Sequence, residues 1–230
     1  MPEDTYNVAY IMIAYRISII LFAAVVIAFS AVAFHTNHVW YDDILLWTDV
    51  AKKSPNEARP YTNLGAAFLR ADKYDDAINF LQISIKIDPY YIEPHYDLAI
   101  CYIKMRYLDK AIPELEEVTR INSVLRSGHY NMQDAPKFDL QAHSNLGNIY
   151  NVKRMFDKAV FHYREALNIE PNDISTRFNL ALTYEIMGML QEARAEFEEV
   201  LKINPADEGA KRAVERLGAI SPHASGGQRQ

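Results

Sequence analysis

Three asparagines and one aspartate recur at the same point of a repeated phrase. Asn63 opens "NLGAAFLRADKYDDAI", Asp97 opens "DLAICYIKMRYLDKAI", Asn145 opens "NLGNIYNVKRMFDKAV" and Asn179 opens "NLALTYEIMGMLQEAR". A carboxamide donates and accepts at once, so amides set at a fixed interval can hold an extended peptide backbone without reading its side chains. A carboxylate only accepts, so Asp97 favours a peptide N–H or a basic side chain. This is binding chemistry. The constellations for making and breaking bonds are missing: the chain has no Gly-rich phosphate loop, no Cys-x-x-Cys, no His-Glu-x-x-His and no Gly-x-Ser-x-Gly. The seven histidines are scattered, and His35 and His38, three apart, have no third ligand in sight. Cys101 is the only cysteine, which rules out an intramolecular disulfide, and it falls on an apolar helix face as a small hydrophobe. A formal charge of −6 without a long basic run speaks against nucleic acid as a partner. The expectation is a protein without enzymatic activity, cofactor or metal.

The elements that carry these residues follow from the spacing. The four phrases start at 63, 97, 145 and 179, so the steps are 34, 48 and 34, and 48 is 34 plus an insertion of 14. A fixed period of this size signals stacked helical repeats. The units are 58–91, 92–125, 140–173 and 174–207, with the insertion at 126–139, and each predicts two antiparallel helices. In the first helix Leu64, Leu98, Leu146 and Leu180 precede small Gly65, Ala99, Gly147 and Ala181, with Phe68, Tyr102, Tyr150 and Tyr184 three residues on. Leu and the aromatic, four apart, share a face beside a small residue that admits the partner helix. The second helix answers with Ala77, Ala111, Ala159 and Ala193. Pro89, Pro171 and Pro205 end units, since proline cannot continue a helix, and Ser123 replaces proline beside the insertion.

This column pattern resembles the tetratricopeptide repeat, over four 34-residue units or 136 of 230 residues. The resemblance implies an all-α, right-handed solenoid whose first helices line a concave groove. It places Asn63, Asp97, Asn145 and Asn179 in that groove, with Arg59, Tyr96, Asn148 and Phe178 beside them and Thr62, Ala66, Ile100, Ser144 and Leu182 at further lining positions. Tyr96 and Phe178 are the aromatic anchors. The column is similar to the asparagine ladder in the repeats of O-GlcNAc transferase. The alternative is that asparagine here merely suits the helix and its solvent. Arg59 lacks the lysine set with which related repeats clamp a chaperone's C-terminal carboxylate. Helical caps complete the solenoid: residues 38–57 offer Trp40, Leu45 and Trp47 to the first unit, and 208–218 form a charged amphipathic cap. Residues 219–230 read as a disordered tail. In the insertion, His129 and Tyr130 suit a contact, although an ordinary surface loop is an equal reading.

Ahead of the repeats, residues 17–34 are uncharged, and 18 helical residues cover about 27 Å against a hydrocarbon core of about 30 Å. The expectation is a tail and single transmembrane helix over residues 1–37, anchoring an integral single-pass membrane protein with its repeats on the non-cytoplasmic side. A cleaved signal peptide is the alternative, since "SAVAF" sets Ala31 and Ala33 in small-x-small spacing. The following "WYDDILLWTDVAKKSPNEARPYTNLG" resembles the junction between the last span and the repeat tail of protein O-mannosyltransferase-like membrane glycosyltransferases. Two functions are therefore expected: a membrane-anchored scaffold binding peptide segments or partner proteins in its groove, or a non-catalytic, substrate-presenting subunit or remnant tail of a membrane glycosyltransferase system.

Overall fold

The computed structural model describes residues 24–27, 43–127 and 135–220. Residues 24–27 are helical and exposed. Ten further helices follow: α1 (Asp43–Lys53), α2 (Ala58–Arg70), α3 (Tyr74–Ile87), α4 (Ile92–Lys104), α5 (Leu108–Ser127), α6 (Ala135–Val152), α7 (Phe156–Ile169), α8 (Ile174–Ile186), α9 (Leu190–Ile203) and α10 (Glu208–Ile220). Each packs against its successor in the chain, and no strand occurs among the described residues.

The helix pairs cross where the small columns meet. A methyl group added at Gly65 would lie 2.6 Å from Cγ of Leu81, and one added at Gly147 would lie 2.5 Å from the Tyr163 ring. Glycine is required at both places by proximity, because a buried ring or branched side chain from the second helix already fills the space. Ala77, Ala111, Ala159 and Ala193 are fully buried on the other side of these crossings. One continuous core runs from Ile92 to Leu217, and a smaller cluster of Ala77, Leu81, Leu98 and Cys101 closes the first repeat. The turn inside each repeat places its middle residue at positive φ: Asp72 at 56°, Arg106 at 64°, Arg154 at 59° and Gly188 at 76°. Only the last uses glycine, the residue for which that conformation carries no steric cost.

The stack curves in a definite direction. α2 touches α4, α4 touches α6 and α6 touches α8, in addition to the pairing within repeats, whereas successive second helices make no comparable contacts. First helices thus occupy the inner, concave side, which lets a row of their side chains face one ligand.

Several expectations change. The integral single-pass membrane reading is overturned: among the described residues, no helix is long and apolar enough to cross a membrane. Apart from 24–27, the apolar run 17–34 lies outside the described residues, as do Trp40 and the tail 221–230. In α1, which packs on α2, Leu45 is 42% exposed and Ala51 is the buried residue. The C-terminal cap continues through Gly218 to Ile220, burying Ala210, Ala213 and Leu217. The insertion is partly helical, since α5 takes in residues 126 and 127 and α6 takes in 135–139; His129 and Tyr130 lie outside the described residues.

Extending α5 has a consequence at Asn122. In the other units this column ends the helix, and Asp88 and Asn204 accept from the backbone N–H two residues on, of Tyr90 and Ala206. Asn122 instead lies within a continuing helix, fully buried, and neither Oδ1 nor Nδ2 has a hydrogen-bond partner among the described residues.

Candidate functional site

Two amide groups, on the first helices α6 and α8, are fixed by internal hydrogen bonds. Tyr163 of α7 is buried, and its hydroxyl donates to Asn148 Oδ1 at 2.8 Å; Asn179 Nδ2 donates to the same oxygen at 3.0 Å. The Tyr163 phenol, pushed up to about 12 by burial, is a permanent donor. Asn148 Oδ1 is therefore occupied, while the Asn148 Nδ2 group and Asn179 Oδ1 keep their capacity for an incoming ligand. Farther along, Asn145 Nδ2 approaches the Tyr96 hydroxyl at 3.4 Å, and the Tyr96 ring packs against Phe138 at 5.4 Å. Asn63, in α2, is half-buried.

Asp97 differs from the other three members of its column. It is half-buried on α4 and has no hydrogen bond or ion pair among the described residues. Burial and then the charge of Glu93 raise its carboxyl to about 7, and Arg70 offsets them only in part. One turn on, Cys101 is fully buried, its thiol pushed up to about 12 by burial and by Asp97, which leaves it chemically inert as expected.

At the far end, Phe178 stands edge-on to Phe197 at 5.1 Å and, with Ile174, Ser175, Asn179 and Asp207, lines a cleft of about 450 Å³. Leu182 is 37% exposed beside it. Arg59 is exposed at the opposite end, on α2. Thr62 is corrected: it is fully buried and shares a 2.7 Å hydrogen bond with Ser84, so it lines no groove. Ser144 is likewise turned to Thr176 at 2.7 Å. Two larger clefts, of about 640 and 610 Å³, lie along α7, lined by Asp157, Phe161 and Arg164 and by Asp139, His143 and Glu165 respectively, away from the asparagine column.

A set of contacts between repeats is absent from the sequence reading. Tyr61, His95 and Arg177 share one column, and each bonds the carbonyl of the preceding proline, Pro55, Pro89 or Pro171. His95 and Arg177 also pair with an acid of the second helix, Glu114 at 2.7 Å and Glu196 at 2.6 Å. Burial works against a charged His95 ring, but Glu114 and the Pro89 carbonyl outweigh it and raise the pKa. In the third unit, after the insertion, the same two columns carry His143 and His162, whose Nδ1 atoms stand 3.1 Å apart. The signal was available in principle as a basic residue and an acid 19 apart, but only in two of four units.

Comparison with known proteins agrees with this geometry. Tetratricopeptide repeat models match residues 68–123, 140–173 and 162–195, and the second of these ranges is the third unit. Residues 68–123 and 140–195 are tetratricopeptide repeats. Among solved structures, YrrB, a tetratricopeptide repeat protein, superposes with a TM-score of 0.63 at 18% identity, over 78% of this chain and 85% of its own. MamA superposes with a TM-score of 0.62 at 23% identity, over 74% of this chain and 92% of its own. MamA from Desulfovibrio magneticus RS-1 gives 0.58 at 17% identity, over 72% and 85%. Likeness at these identities establishes the fold. WD and tetratricopeptide repeats protein 1 of Mus musculus is 28% identical over 82 residues; the match covers 34% of this chain but only 12% of that relative. These repeats fit a protein–protein interaction scaffold. The likenesses lend no support to the membrane anchor or to the glycosyltransferase kinship.

Proposed function

We propose that the concave face of the solenoid binds an extended segment of a partner protein, so that this non-catalytic chain acts as a protein-interaction scaffold. The observation that carries this reading is the amide pair at Asn148 and Asn179. Because Asn148 Oδ1 is filled from within by Tyr163 and Asn179, the pair presents a donor and an acceptor in fixed orientation, matching the C=O and N–H of a peptide backbone. Fixing these amides before binding lowers the entropy lost on association. Phe178 and Tyr96 supply aromatic surface along the same face. YrrB, alike in fold, is described as having an unusual peptide-binding site, which accords with this use of the architecture.

The test is a cross-linking pull-down with the full chain. It compares the natural protein with Asn63→Ala, Asn145→Ala and Asn179→Ala combined, and with a control carrying Asn79→Ala and Glu192→Ala on exposed second-helix positions. Circular dichroism verifies that all three fold alike. A partner retained by the control and lost from the triple variant supports the groove. A partner retained by both refutes it.

A further inference from the structure

We propose that the groove selects a partner segment carrying a lysine or arginine side chain, which pairs with Asp97. This rests on the groove reading above and names the chemistry that the groove accepts at one repeat.

Four observations lead there. Asp97 stands in a column whose other members are amides, so the natural solution for neutral backbone recognition is replaced at this one place by an anion. Its carboxylate is half-buried yet finds no hydrogen bond or ion pair among the described residues, although the chain neutralises carboxylates at comparable depth elsewhere, as Glu114 with His95 and Glu196 with Arg177. The charged groups around it leave an excess of negative charge. Glu93 lies one turn earlier on α4; Arg70 approaches from α2, but its guanidinium is held by Asp43 at 2.7 Å. The remaining titratable neighbours are neutral near pH 7: Tyr91, whose hydroxyl donates to Glu93 at 2.7 Å, Tyr96, and Cys101. Finally, the neighbouring amides Asn63 and Asn145 bring no charge from α2 or α6.

A partly desolvated carboxylate beside a second carboxylate is stabilised by a cation from outside, and an Asp or Glu side chain at that point of the ligand would be repelled. A protonated Asp97 has to release its proton as the cation docks. Since the carboxyl titrates at about 7, lowering the pH from 7.5 to 6 reduces the ionised fraction, and with it the affinity for a cationic side chain, by about eightfold.

The probe is a positional-scanning nonapeptide library, each position fixed in turn as Lys, Arg, Gln, Met or Glu, measured against the full chain. At one position Lys or Arg should exceed Gln by about tenfold at pH 7.5. This preference should shrink about eightfold at pH 6. Asp97→Asn, which restores the amide of the other three repeats, should bring the Lys and Gln series together and flatten the pH profile. Groove-dependent binding without a basic preference, or a preference that survives in Asp97→Asn, overturns this inference and leaves the groove standing. Library binding that is absent, or indifferent to the triple asparagine variant, overturns both.

Discussion

His162 should make the solenoid acid-sensitive at its third repeat. Its Nδ1 stands 3.1 Å from that of His143, and its ring stacks on Tyr150 at 5.4 Å with planes 10° apart. Two neutral imidazoles share one N–H···N hydrogen bond at that separation, whereas two imidazolium rings repel. Burial, then His143, then Lys158 depress the His162 pKa from 6.5 to about 4. The unfolded chain therefore takes up the proton first, so the contribution is complete above pH 6.5 and is lost as the pH falls towards 4. At about 1.36 kcal/mol per pH unit the interval is worth about 3.4 kcal/mol. The ring is only half-buried, and solvent screening reduces this to about 1.5–2 kcal/mol. His162→Phe keeps the aromatic stack and carries no titrating proton. Urea denaturation of both proteins between pH 7.5 and 4.5 isolates the effect, because His95, whose raised pKa favours the folded state in the acid range, is common to both. The natural protein should lose about 1–1.5 kcal/mol relative to the variant across that range, which stops short of the folded-state pKa. A stability difference that stays constant with pH to within about 0.5 kcal/mol would refute the reasoning.

Three substitutions test the packing. Gly147→Ala should destabilise by about 1–3 kcal/mol in thermal or urea unfolding, because Tyr163 is buried and tied to Asn148 and cannot retreat from the added methyl. Gly218→Ala, whose nearest neighbour is the Arg194 tip at 3.8 Å, should instead stabilise by about 0.5–1 kcal/mol. Asn122→Leu should stabilise by about 1–2 kcal/mol in the same assay, since it removes two buried groups without partners among the described residues and keeps the branched shape of the side chain; a loss of stability in both Asn122→Leu and the smaller Asn122→Ala would refute this.

Much of the architecture is legible in the sequence because packing within a repeat is local and periodic. Leu64, Gly65 and Phe68 recur with Ala77 and Leu81 behind them, and the helical period alone puts these residues on facing sides. The match of a repeat model to 140–173 and the buried small columns follow from that same arithmetic. The element that carries each polar residue was legible: Asn148, Asn179, Tyr96 and Phe178 lie on first helices, but Thr62, the residue before Asn63, turns inward to Ser84. A rotation of one position around a helix separates solvent from core, and a column comparison does not resolve it.

What the chain alone determined is the repeat: its length, its two helices, its crossing points and the place where 14 residues intrude. The tertiary structure decided how polar side chains share partners. Asn148 receives Tyr163 and Asn179 from 15 and 31 residues away, His95 bridges Pro89 and Glu114, His143 meets His162, and Asn122 is sealed in a helix that runs past its usual stop. The physical reason is the range and direction of the forces. Apolar burial depends on which face a residue occupies, which periodicity encodes, while a hydrogen bond or a carboxylate's charge depends on atoms about 3 Å apart in space. Asp97 illustrates this division, since its identity is written in the sequence and its half-buried position, without a hydrogen bond or ion pair among the described residues, emerges only when the helices are stacked.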